Sequence, residues 1–198
     1  TSGNPALSGE ALIRLATGIE REWIAPTSTG VRHEFDAASG SVRAARVEMY
    51  DALVMAEHPV APDPSAAGPL VAAEYLRRGP TERDRHLLTR AAFAGVEIAF
   101  EDAVRAASVL KVRLDDVDLE SALSGEVRRT LARLAPATLT VPSGRDARLE
   151  YRDGGAVAAA VKLQELFGLA DSPRIGPRQV PVTFALLAPN GRPVQVTS

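Results

Sequence analysis

The sequence predicts an α+β fold in three parts: β-rich over residues 1–61, helical over 62–135, and mixed α/β over 136–198. Three observations predict it. Apolar and polar residues alternate with period two around Val31, His33 and Phe35, as in a half-buried strand. Prolines at 59, 62, 64 and 69 form a seam that neither a central strand nor an unbroken helix crosses easily. Beyond Pro136, helical spacing gives way to short β-rich runs separated by glycine turns. The chain has 198 residues and is 45% apolar, so a buried core is expected. Aromatics are only 5%, so that core rests on Leu, Val and Ala.

The elements follow in order. Residues 11–15 are short and apolar, and residues 20–24 read as a helical turn. Residues 36–40 form a turn in which Gly40 is free to take positive φ. Residues 42–56 make one bent strand or two, with a bulge near Ala44 and Ala45, where the parity slips. The proline seam reads as a connector. Pro69 then suits the first turn of a helix that ends at Gly79-Pro80. Thr81 with Asp84 is an N-cap signature, and Leu88, Ala91, Ala92 and Gly95 share a face. A helix over 101–110 points Ala103, Val104, Ala107 and Leu110 inward. Asp118 caps a short helix, and Ser124 caps another that reaches Leu134.

In the last part, 138–141 and the alternating residues around Leu149 and Tyr151 read as strands. The Asp153-Gly-Gly run breaks the second one. Residues 156–167 read as a helix with Ala160, Leu163 and Phe167 on one side. Residues 180–187 are β-rich, 189–192 are a hairpin turn, and 193–197 return as an edge strand.

Charge and motifs exclude whole classes of function. The 23 basic and 25 acidic residues give a net charge of −2, unlike a strongly basic nucleic-acid protein. There is no cysteine, hence no disulfide, thiolate metal site or Cys nucleophile. His33, His58 and His86 are widely separated, which argues against zinc. No G-x-x-x-x-G-K-[ST], DEAD-type box, G-x-S-x-G or H-E-x-x-H occurs. The acidic run Asp115, Asp116, Asp118 and Glu120 lacks the glycine of a tight cation loop and reads as capping and solvated turn. No apolar run reaches the length of a membrane span, and the start lacks the features of a signal peptide. A cytoplasmic protein without a membrane span, cut from a longer chain, is expected.

The most specific segments come late. They are Leu134-Ala-Pro-Ala-Thr-Leu-Thr-Val-Pro-Ser-Gly144, Val161-Lys-Leu-Gln-Glu-Leu-Phe-Gly-Leu169, Pro173-Arg-Ile-Gly176, Val180-Pro-Val182 and Arg192-Pro-Val-Gln-Val-Thr197. In this order they resemble the C-terminal domain of the HrpB family of bacterial DEAH-box ATP-dependent helicases. Ile13-Arg-Leu-Ala16, residues 20–26 and residues 31–60 resemble the accessory region that precedes it. Two features depart from the family. Its Pro-Thr-His is Pro136-Ala137-Thr138 here, so no role for that His carries over. The aromatic and basic tail that follows the last strand in the family is not found before Ser198.

The resemblance implies an OB-like N-terminal part and a HrpB-type C-terminal α/β domain. It implies a parent that remodels RNA or single-stranded nucleic acid with ATP and Mg bound in motor domains N-terminal to this chain. No catalytic residue and no cofactor transfer to the present residues. The implied partners are single-stranded RNA or DNA and the motor of the same chain, with a protein-docking module as the alternative.

The candidate phosphate contacts are loop arginines of the last part, Arg145, Arg148, Arg174, Arg178 and Arg192, and Arg32, Arg43 and Arg46 of the first. The last part has seven basic against five acidic residues and is the only positive one. The first part has five against eight, which disfavours phosphate. Trp23 and Phe35 are therefore expected in the core rather than as stacking platforms, and the Leu163, Leu166 and Phe167 group is expected there too. Arg77-Arg78 and Arg128-Arg129 read as ordinary helix charges.

Overall fold

The computed structural model describes residues 18, 20 and 23–187, with Asp153 by its backbone alone, and, also by their backbone, 193–197. The expected strand at 11–15, most of the turn at 20–24 and the hairpin turn at 189–192 lie outside the described residues.

The first part is an antiparallel meander of β1 (Ser28–Asp36), β2 (Ser41–Tyr50) and β3 (Leu53–Val60). Gly40 takes φ +63° in the β1–β2 turn, as the sequence required. Val42, Ala44 and Val47 of β2 are buried. The register shift falls between Glu48 and Met49, opposite β3, rather than at Ala44 and Ala45. Residues 42–56 are thus two strands, folded back at Asp51, which itself has positive φ.

Five helices follow: α1 (Pro64–Arg78), α2 (Glu82–Ala94), α3 (Phe100–Ala107), α4 (Leu119–Ala122) and α5 (Gly125–Leu134). The connector is far shorter than the proline count suggests. Pro59 lies in the outer strand β3, and Pro64 opens α1 behind the Asp63 N-cap. Pro69 lies inside the helix, not in its first turn. It is exposed, as is Ser65, whose carbonyl it leaves without a helical donor, so water can take that place. A Cβ on Gly68 would come within 2.7 Å of the Ser108 carbonyl, so α1 and the end of α3 meet backbone to backbone.

Helix α2 begins with the expected cap, and it is a full capping box. Asp84 N donates to Thr81 Oγ1 at 3.2 Å, and Asp84 Oδ2 accepts from Thr81 N at 2.8 Å. Its inward face is Asp84, Leu87, Arg90, Ala91 and Ala94, rotated from the expected one, and Ala92 is exposed. Two charged residues turn the helix this way. Asp84 serves the cap, and Arg90 Nε donates to the Ala135 carbonyl at 2.8 Å. Helix α3 ends at Ala107, so Leu110, with φ +59°, is exposed rather than inward. The Ser124 cap of α5 and the Asp118 cap of α4 are as the sequence indicated.

The last sheet has six strands: β4 (Thr138–Thr140), β5 (Asp146–Tyr151), β6 (Val157–Lys162), β7 (Arg174–Ile175), β8 (Val180–Leu187) and β9 (Pro193–Thr197). Its order is β4-β5-β6-β8-β7, with β9 also on β8. Residues 156–167 are not a helix. They form β6 and a 3-10 turn over Leu163–Leu166. The alanines that favour a helix in isolation are overridden because β6 is the buried centre of the sheet. Leu149, Val157, Val161 and Val182 are at most 1% exposed, each contributing about 1.5–3 kcal/mol of burial. One buried cluster runs from Val42 through the helices to Phe184. The chain is thus mixed α+β.

Candidate nucleic-acid interface

The site begins with one pairing. Strands β6 and β8 are parallel, with Val157 opposite Val182 and Lys162 opposite Leu187. Parallel strands place their N-terminal ends side by side. The turn entering β6 (residues 152–156) and the turn entering β8 (residues 176–179) therefore sit together at one end of the sheet.

Each turn is closed by its own backbone. Arg152 N donates to the Ala156 carbonyl at 2.9 Å, and Gly155 N to the Arg152 carbonyl at 3.1 Å. Gly154 and Gly155 both have positive φ, +84° and +83°, a conformation that favours glycine. In the second turn, Gln179 N donates to the Gly176 carbonyl at 3.2 Å, and Arg174 Nη1 to the Gln179 carbonyl at 3.1 Å. Gly176 has φ +79°, and a Cβ there would meet Phe93 Cε1 at 2.4 Å, so this turn is seated directly on α2.

Helix α2 forms the third wall. Phe93 meets Tyr151 edge-on with ring centroids 4.9 Å apart. His86 Nε2 donates to the Leu149 carbonyl at 2.8 Å. The Tyr151 hydroxyl donates to the Pro136 carbonyl at 2.6 Å, and burial pushes its pKa well above the ordinary tyrosine value. Helix and sheet are thus fixed to each other behind the site.

Between the two turns and α2 lies a cleft of about 380 Å³. It is lined by Thr89, Ala92, Phe93, Arg152, Gly154, Gly155, Pro177, Arg178 and Val180. Among the residues whose side chains are described, two arginines line it and no carboxylate does. Arg178 is exposed at the head of its turn and makes no ion pair or side-chain hydrogen bond among the described residues. Arg152 reaches only Glu150, at 3.5 Å, among those residues.

The other candidate arginines are placed differently. Arg145 holds Glu165 through Nη1, at 2.6 and 2.8 Å from the two carboxylate oxygens. Those bonds, with one from Lys162 N, keep the Glu165 carboxyl below its ordinary 4.5. Arg148 faces Glu82 at 3.6 Å, and Arg174 is tied to its own turn. Arg32 pairs with Glu57 at 2.7 Å and Arg43 with Asp36 at 2.5 Å. Arg46 has no side-chain partner among the described residues. Arg192 lies outside the described residues. Of the eight candidates, only Arg178 lines the cleft among the described residues.

Sequence reasoning missed Arg152 and Phe93. The signal was the Gly154-Gly155 pair beside Arg152, but it required reading β6 as a strand. Arg128 and Arg129, read as ordinary helix charges, and Arg133 are exposed on α5 and have no carboxylate partner among the described residues. Phe35 packs on the core as expected, but Trp23 is 72% exposed. Leu166 packs on the core, whereas Leu163 and Phe167 do not and are 54% and 70% exposed. Among the described residues no group of three or more His, Cys, Asp or Glu could hold a metal ion. No helix is long and apolar enough to cross a membrane among those residues.

Comparison with known proteins agrees with the sequence motifs. Residues 96–198 match the family described as ATP-dependent helicase C-terminal. The ATP-dependent RNA helicase HrpB of Escherichia coli (strain K12) is 36% identical over 88 residues, 42% of this chain but only 11% of that protein. The crystal structure of the E. coli DExH-box NTPase HrpB superposes with a TM-score of 0.52 at 23% identity, covering 86% of this chain and 24% of that one. That of the Escherichia coli DEAH/RHA helicase HrpB gives 0.50 at 23% identity, covering 86% and 25%. The present chain thus spans about a quarter of those solved chains, and more than half of it lies in the matched family region. This chain belongs to the HrpB-type family of ATP-dependent helicase C-terminal regions.

Proposed function

We propose that this chain serves as the accessory C-terminal segment of a cytoplasmic ATP-dependent RNA helicase and helps to hold the single strand on which the motor acts. The observation that carries the reading is the arginine cleft. Among the residues whose side chains are described, it offers two cations, one of them without an ion pair, and no lining carboxylate to repel phosphate. Family membership supplies the context of a motor, and ATP and Mg belong with that motor. The present residues supply positioning of the strand and none of the hydrolysis.

The β1–β3 meander is read as part of an OB-like unit. Val31, Leu53 and Val54 are about half exposed or more, as an incomplete barrel would leave them. Arg46 and the exposed Tyr50 belong to this surface.

The test is fluorescence anisotropy of a labelled single-stranded RNA with the 198-residue chain at two salt concentrations. Binding that weakens with salt supports the reading. No binding at low salt, together with unwinding by the parent helicase that is unchanged when the segment is deleted, refutes it.

A further inference from the structure

The cleft carries more than a charge argument. A run of phosphodiester needs only cations along an open groove. Here the two arginines are joined by Ala92, Phe93, Pro177 and Val180, an apolar side as large a part of the lining as the polar one. Its volume of about 380 Å³ falls within the roughly 300–1,000 Å³ of sites that take a small molecule. The glycines at 154 and 155 leave backbone without side chains beside Arg152, where a ligand can approach closely. A ligand that satisfies all of this has an anionic end and a flat body whose face can rest on apolar side chains.

We infer that the cleft holds one whole nucleotide of the strand, its phosphate between Arg152 and Arg178 and its base against Phe93 and Pro177. This rests on the strand-holding reading above and names what that site takes. Arg178 stands on a turn seated on Phe93, and Arg152 on a turn locked by its own hydrogen bonds. The cleft is preorganised, so little ordering opposes binding. Base contact through an aromatic and a proline ring is tolerant of sequence, because every base has a flat face.

The test is titration calorimetry of the 198-residue chain with adenosine 5′-monophosphate and, separately, with inorganic phosphate. The nucleotide is expected to bind one to one, and phosphate about tenfold or more weakly, because it lacks the flat body. The double variant R152A/R178A is expected to lose about tenfold or more of nucleotide affinity, each charge-assisted contact being strong. Both arginines have exposed side chains, and circular dichroism checks that the variant is folded. Equal affinity for phosphate and nucleotide would overturn the inference in favour of a plain anion site. Unchanged nucleotide affinity in the double variant would overturn it by moving the site elsewhere. Single-stranded RNA is titrated in parallel. RNA binding without nucleotide binding sinks the one-nucleotide cleft and spares strand holding. Nucleotide binding without RNA binding counts against strand holding and leaves the cleft as a site for a free nucleotide.

Discussion

Gly176 and Phe93 touch so closely that a Cβ on the glycine would lie 2.4 Å from the ring carbon Cε1. That contact fixes the second wall of the cleft to helix α2. Gly144 makes the instructive comparison, since it also has positive φ, +85°, but nothing lies within 4 Å of its would-be Cβ. Gly144→Ala is expected to cost only the backbone term, about 1–2 kcal/mol. Gly176→Ala adds overpacking of about 1–3 kcal/mol and displaces Arg178. Urea denaturation of both variants checks the ranking, and equal losses would refute the close seating.

Asp84 is 4% exposed and accepts through one oxygen, Oδ2, from the Tyr75 hydroxyl at 2.7 Å and from Thr81 N and Oγ1 at 2.8 Å each. Burial, and then this carboxylate, push the Tyr75 pKa up to about 12. Asp84→Ala removes the carboxylate half of the capping box and the phenol's partner, while Thr81 Oγ1 still accepts from the backbone N, and is expected to cost about 1–3 kcal/mol. Tyr75→Phe keeps the cap and should cost about 0.5–1.5 kcal/mol. Thermal melts of the two variants read the difference.

The Arg145–Glu165 pair predicts a pH dependence of known sign. The folded-state pKa of Glu165 lies below 4.5, chiefly through its bonds from Arg145. A depressed carboxyl contributes stability above its unfolded value and loses it as pH falls through the folded one. Wild type should therefore exceed E165Q in melting temperature at pH 7. The gap should close as pH drops below about 4.5. A gap that is constant with pH would show that the pair contributes nothing through charge.

Salt separates the arginines that are tied to acids from those that are not. R178A should weaken single-stranded RNA binding and flatten its salt slope by about 0.7 for each phosphate left without its cation. R145A removes an internal tie and should leave that slope unchanged. Anisotropy at several salt concentrations measures both slopes.

Much of the fold was legible where local chemistry decides it. The Gly40 turn, the Thr81–Asp84 box and the Ser124 and Asp118 caps follow from residues only a few positions apart, and each is present. What could not be read locally was overridden by packing. Residues 157–162 are rich in alanine yet form a strand, because their neighbours in space are β5 and β8 rather than the next turn of a helix. Leu110 looked inward only while α3 was assumed to continue past Ala107.

The same pairing explains the uneven reading of the cleft. Arg178 stands out in a Gly-Pro-Arg-Gln turn, but its counterpart Arg152 becomes a neighbour only when β6 lies parallel to β8. Arg145 looked equally free in sequence, since Glu165 is twenty residues away.

The parallel ladder between β6 and β8 also sets an order of assembly. Hairpins β5–β6 and β7–β8 each close over a few residues, whereas Val157 must find Val182 across the intervening chain. Local pairs form before distant ones because shorter loops lose less entropy on closing. The two turn-bearing walls of the cleft are therefore built separately and meet only after both hairpins have closed. The recess thus exists only once these hairpins have paired and the Gly176 turn has seated on Phe93 of α2, so it depends on contacts far apart in the chain.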